Sequence, residues 1–144
     1  MNIRIIEDIE NPLQVIIECR KADEEVMRLK SHIELFDNKL QARLDDKVYL
    51  ISSADVLYFE SVDDRTFLYT QENVYEVKYR LYELEENLSD KDFVRISKSQ
   101  IVNINKVNSL KPELNRSLTA TLINGEVLSI SRRYAKALKT LLSI

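Results

Sequence analysis

The chain has 144 residues, 44% of them hydrophobic and 31% charged, with one Gly, one Cys, one His and no Trp. That length supports one medium domain or a domain with an extension, with enough apolar residues for a real core. The counts exclude several chemistries: one Gly cannot supply a phosphate-wrapping loop, and one Cys with one His makes neither an internal disulfide nor a zinc cage.

The net charge is −3, but it is unevenly spread. Residues 1–46 carry 7 Lys/Arg and 11 Asp/Glu, for −4, and residues 47–94 carry 5 and 11, for −6. Residues 95–144 carry 9 and 2, for +7; Glu113 and Glu126 are their only acids. A basic block on an acidic protein is a local patch of the kind polyanions sense. No apolar run approaches the roughly 18 residues a membrane span needs. Glu7, Asp8 and Glu10 break up what would be the apolar core of a signal peptide. A cytoplasmic protein is expected.

In chain order, residues 3–9 and 13–19 are strand candidates. Leu13, Val15, Ile17 and Cys19 alternate, and Asn11-Pro12 marks a turn between the two. Cys19 is expected to be a buried, inert thiol. From Asp23 the period changes: Val26, Leu29, Ile33, Phe36 and Leu40 form a helical seam running to about Arg43, with His32 on its surface side. Leu44-Asp45-Asp46 reads as a boundary. Strands follow at 48–51, 56–60, 65–70 and 74–78, then a helix at 79–88. Further strands are expected at 93–96 and 107–111, with an apolar run at 101–104 between them. Residues 117–123 and 126–130 form a hairpin around Asn124-Gly125, where a two-residue turn wants positive φ. Ser131 is placed to cap a last helix, 132–142.

The division is therefore 1–46, an N-terminal β-β-α extension, and 47–144, a mostly β domain with two helices. The extension is a candidate dimerisation or regulatory element through its helix at 23–43, which packs either on its own strands or on a second copy. It is too short for a doubly wound receiver domain with a phosphorylatable aspartate.

Three stretches of the second domain belong together. They are Val56-Leu57-Tyr58-Phe59-Glu60-Ser61, ending in Thr70; Phe93 to Asn103 (FVRISKSQIVN); and Leu122-Ile123-Asn124-Gly125 followed by Ile130-Ser131-Arg132-Arg133-Tyr134 and then Leu138-Lys139. Their order and spacing resemble the LytTR-type DNA-binding domain of bacterial transcription regulators. The resemblance implies a mainly β (α+β overall), elongated fold of small sheets. It also implies a regulator that reads double-stranded DNA in successive major grooves with loop side chains. No nucleophile–base pair or metal constellation is visible in the sequence, so no enzymatic activity, cofactor, metal or small-molecule substrate is expected. A stand-alone regulator of this sort is sometimes encoded beside a membrane protein that restrains it.

The residues that follow from this resemblance are Lys98, Arg132, Arg65, Ser97, Ser99, Arg95, Lys106 and Arg133. Lys98 is an exposed donor for guanine or phosphate, flanked by the serines; the family usually carries His where this chain has Ser97. Arg132 opens the last helix with a guanidinium fork suited to guanine, and Arg133 suits phosphate. Arginines are unfavourable at a helix N-terminus, so a function explains them better than helix stability does. Arg65 lies on a loop with Asp63 and Asp64, which repel phosphate. Arg95 pairs with phosphate or braces the sheet, Lys106 suits phosphate, and Asn103 suits backbone groups.

Two other readings compete. The basic C-terminal face could serve an acidic protein partner. Alternatively, the seven Tyr and four Phe could stack single-stranded nucleic acid, although alternate strand positions and a helix face place most of them in the core.

Overall fold

The computed structural model describes residues 1–36, 39–88 and 92–144, with side chains 35 and 36 also left aside. The described elements run α1 (Glu24–Phe36), β1 (Lys39–Leu44), β2 (Lys47–Ser52), β3 (Tyr58–Val62), β4 (Arg65–Tyr69), β5 (Val74–Val77) and α2 (Leu81–Leu88). They continue with β6 (Phe93–Arg95), β7 (Gln100–Asn103), β8 (Val107–Pro112), β9 (Leu118–Leu122), β10 (Val127–Ile130) and α3 (Arg132–Leu142). The strands form a seven-stranded antiparallel sheet, in the order β2-β1-β5-β4-β3-β7-β6, and a three-stranded one, β10-β9-β8. This is the mainly β, α+β architecture expected of the domain, with its two helices at α2 and α3.

The large sheet is covered on both faces where β3 and β7 pair, which explains the short apolar runs Val56–Phe59 and Ile101–Val102 there. Phe59 and Ile101, which are register partners, point into one core with Leu68, Phe93 and the Leu81, Leu84 and Leu88 face of α2. Their neighbours Tyr58 and Val102 point the other way. There they join Leu118, Ala120, Leu122 and Ile130 of the small sheet and Ala135 and Leu138 of α3. Strand alternation thus turns one sheet into the shared wall of two cores. Tyr58 ties the layers further: it stacks on Tyr69 with ring centroids 4.2 Å apart, and its hydroxyl donates to Glu126 Oε2 at 2.8 Å. Burial, and then that carboxylate, push the Tyr58 phenol well above its ordinary pKa.

Turn chemistry fixes the register. Asp63 and Asp64 both have positive φ (50° and 62°) in the two-residue turn between Val62 and Arg65, the geometry that suits twisted hairpins. Gly125 (φ 89°) closes the β9–β10 hairpin. That loop holds three residues, 123–125, between the facing Leu122 and Glu126, rather than the expected two. Asp23 Oδ1 caps α1 by accepting from Val26 N, and Glu83 caps α2 by accepting from Arg80 N. Ser131 makes no side-chain cap bond on α3.

The N-terminal part departs from expectation. Residues 3–9 and 13–19 hold no strand, because among the described residues no sheet edge pairs with them. Cys19 is exposed rather than buried. α1 ends at Phe36, and the stretch expected to continue it supplies β1 instead. There Leu40 and Ala42 alternate into the core, and Lys39 to Leu44 pair along β2; residues 37 and 38 lie outside the described residues. Residue 46 lies in the turn of this β1–β2 hairpin. α1 packs on α2 and β1 through half-buried Val26, Leu29 and Ile33. His32, expected at the surface, is half-buried, with Nδ1 3.2 Å from Asn87 Oδ1 of α2. No described helix is long and apolar enough to cross a membrane.

Candidate nucleic-acid interface

Three of the singled-out segments meet at one end of the large sheet. β3 and β7 are antiparallel, so the β3–β4 turn and the β6–β7 loop lie at the same end; Ser61 N donates to Ser99 O at 2.8 Å there. At the same place Ser131 N donates to Ile96 O at 3.0 Å. That bond sets the first turn of α3, with exposed Arg132 and Arg133, against the loop that carries Lys98.

The loop is built, not merely tethered. Arg95, its side chain only 17% exposed, donates from Nε to Ser97 O at 2.7 Å and from Nη2 to Lys98 O. Its Nη1 pairs with Glu85 Oε2 at 2.7 Å. Ser97 Oγ accepts from Ser99 N at 3.2 Å. Arg95 therefore braces the loop from beneath, and Lys98 is left at the exposed tip. Behind it, Asn103 Nδ2 donates to Val56 O at 2.9 Å and Asn103 Oδ1 accepts from Asn105 N, the backbone-satisfying role expected of it.

On α3, Arg132, Arg133, Lys136 and Lys139 line a cleft of about 620 Å³ together with Arg116 from the β8–β9 loop and Ile144. Among the described residues none of these five cations, nor Lys98, forms a salt bridge. Arg133 lies over the ring of Tyr134, 5.5 Å from its centroid. α3 carries four cations, no acid, and two of the cations in the turn where the helix dipole disfavours them. Arg116 and Lys136 were missed in the sequence. The 132–136–139 spacing puts three cations along one helix face, and that signal was readable, whereas the approach of Arg116 depends on the β8–β9 turn.

Arg65 and Lys106 are differently placed. Arg65 shares the loop end but is held in two bonds by Glu76, Nε to Oε1 at 3.0 Å and Nη2 to Oε2 at 2.5 Å, with Phe67 beneath it. The bonds from Arg65 hold the Glu76 carboxyl below its ordinary pKa. Lys106 follows the far end of β7. It lines a groove of about 360 Å³ with Asp55, Glu72, Asn73, Leu50 and Ile123, so the structure does not bring it to Lys98. Among the described residues no group of three His, Cys, Asp or Glu could hold a metal ion. Tyr58, Phe59, Tyr75, Tyr79 and Phe93 are buried in the two cores, as their strand and helix positions predict.

The β-sheet scaffold thus brings one loop and one helix start together, with cations on both that form no salt bridge among the described residues. The profile of the LytTr DNA-binding domain matches residues 46–143, and the chain belongs to that family. The sensory transduction protein LytT of Bacillus subtilis is 26% identical over 137 residues, 95% of this chain and 57% of that protein. LytT of Bacillus anthracis is 28% identical over 142 residues. The chain thus spans 57–58% of the length of these two relatives. A Staphylococcus aureus protein named as an uncharacterised HTH-type transcriptional regulator is 36% identical over 101 residues, 70% of this chain and 68% of that one. Among solved structures, one described as the LytTr DNA-binding domain of a methyl-accepting/DNA response regulator from Bacillus cereus superposes with a TM-score of 0.71. It is 27% identical and covers 74% of this chain and 98% of that one.

Proposed function

We propose that the chain is a sequence-specific, double-stranded DNA-binding transcription regulator that reads the major groove with the β6–β7 loop and the first turn of α3. The observation that carries this reading is the Ser131–Ile96 backbone bond, which makes one surface of Lys98, Arg132 and Arg133. Arg132 and Lys98 are the base-edge donors, since a guanidinium fork or an ammonium suits the acceptors of guanine. Ser97, Ser99 and Arg133 contact phosphate, as do Arg116 and Lys136 along the cleft. Arg95 is a positioning residue that holds the loop. Arg65 joins only by exchanging Glu76 for a phosphate. α3 follows β10 with one residue between, so the surface is not presented by a helix-turn-helix.

The test is fluorescence anisotropy on duplex DNA from the region upstream of the chain's own coding sequence, against a scrambled duplex, at several salt concentrations. Tighter binding to the upstream duplex that survives excess scramble, with a steep salt slope, supports a sequence reader. Equal binding of the two duplexes removes sequence specificity for that DNA. Absence of binding at low salt favours a protein partner for the basic face.

A further inference from the structure

Two parts of the chain lack partners of the same kind. The first is residues 1–22, which hold no helix or strand, although Ile3, Ile5, Ile6, Leu13, Val15 and Ile16 are all at least 60% exposed. A turn is already set in the middle: Asp8 Oδ1 accepts from Glu10 N at 3.1 Å, and Asn11 Nδ2 donates to Asp8 Oδ2 at 2.6 Å. Pro12 follows, an acceptable first residue of a strand. The second part is β2, the end strand of the large sheet. Among the described residues it pairs with β1 on one side only; it spans six residues and leaves Val48 and Leu50 exposed. A long, apolar edge of this type presents a row of free backbone N–H and C=O groups, which natural proteins block or use.

We propose that residues 13–18 pair antiparallel with the free edge of β2 in a second copy of this chain, each copy giving its segment to the other. Two features commit the occupant. One is charge: residues 5–19 carry Glu7, Asp8, Glu10 and Glu18 and no cation, whereas the β1 and β2 strands carry Lys39, Arg43 and Lys47 and no acid outside their turn. The other is register. With Glu18 opposite Lys47, Ile17 faces Val48 and Val15 faces Leu50 on the exposed face of the sheet. Ile16 then falls beside Tyr49 and Gln14 beside Ile51. Cross-strand pairs of opposite charge and of branched apolar side chains are the stabilising ones. A reciprocal exchange closes on itself as a two-fold dimer, so it ends at two copies rather than a fibre. Twenty-two residues reach roughly 70–80 Å when extended, enough to cross between copies.

One residue beyond the Glu18–Lys47 pair, the register brings Cys19, the only cysteine, beside Asp46 at the end of the β1–β2 turn, near enough for a disulfide to link the two positions. The test is the Asp46→Cys full chain under mild oxidation, run on a non-reducing gel with peptide mass mapping, and without DNA. A band at twice 16.9 kDa whose linked peptides join 19 to 46 is expected. A 19–46 link inside a single chain, or dimers linked only 19 to 19, would overturn the proposal. In parallel, sedimentation equilibrium of the unaltered chain should give twice the monomer mass. Val48→Lys with Leu50→Lys, both at exposed positions, should return the mass to 16.9 kDa with an unchanged circular dichroism spectrum. A monomeric unaltered chain, or a dimer indifferent to that double substitution, would also overturn it.

Discussion

Lys98 and Lys106 stand beyond opposite ends of the same four-residue strand, and their surroundings differ in kind. Lys98 is at the tip of a loop whose backbone Arg95 grips from below, next to a helix start with two more unpaired cations. Lys106 is half-buried in a groove that also contains Asp55 and Glu72. Arg65 offers a third case: it is at the same end as Lys98, but its charge is answered by Glu76. Position on a basic stretch of sequence therefore does not decide which cation can meet a polyanion. What decides is where the fold puts the cation, as Lys106 shows at the far end of β7, and whether it has already given it an anion, as it has for Arg65.

The contrast can be broken by removing what holds each side in place. The largest effect expected is from Leu138→Ala, which empties the fully buried contact of α3 with the second core. It should cost about 2–5 kcal/mol in urea unfolding, whereas Leu141→Ala, 64% exposed on the same helix, should stay within about 0.5 kcal/mol. Next, Arg132→Ala should lose roughly 1–3 kcal/mol of discrimination at one base position, measured as the ratio of affinities for matched and substituted duplexes. Equal losses on all duplexes would make Arg132 a phosphate contact.

Smaller again is Tyr58→Phe, at about 1 kcal/mol, because the Glu126 bond is lost at a carboxylate that water can reach. It also changes the pH profile. The folded state holds the Tyr58 phenol neutral beyond its ordinary pKa, so its contribution is complete below about pH 10 and is lost as pH rises above that. The substituted chain should show a flatter alkaline decline in stability. The smallest effect is expected of Lys106→Ala: unchanged discrimination and an unchanged salt slope. A slope shallower by about one would bring the far groove into the DNA footprint.

Much of the domain was legible from residues 47 onward. Strand composition and the Asn-Gly hairpin placed most of β2 to β10, although the stretch that forms β7 was read only as an apolar run at 101–104; the helical periods placed α2 and α3, and most boundaries fell within a residue or two. What failed were places where local pattern and partner disagree. Leu40 continues the 3-4 spacing of α1, yet 39–44 became a strand, because β2 and β5 offered ladders on both sides. Residues 3–9 and 13–19 carry a strand pattern, by alternation in the second, but find no ladder within the chain among the described residues, because a strand pattern does not supply its own partner. At the candidate site, the residue types of Lys98, Arg132 and Arg133 could be read, and the family resemblance grouped them. Their meeting through Ser131 and Ile96 could not be read, and neither could the capture of Arg65 by Glu76, since both depend on register between distant strands.

The central claim, that the Lys98 loop and the start of α3 form one DNA-facing surface, is tested most directly by site-specific photo-cross-linking. A photoreactive side chain would be placed in turn at Ser99, Lys136 and Glu72, and each chain irradiated on its bound duplex. Cross-links from positions 99 and 136 to nearby nucleotides, with none from 72, are the predicted result. Cross-linking from 72 while 99 and 136 stay silent would contradict the claim and move the interface to the opposite end of the sheet.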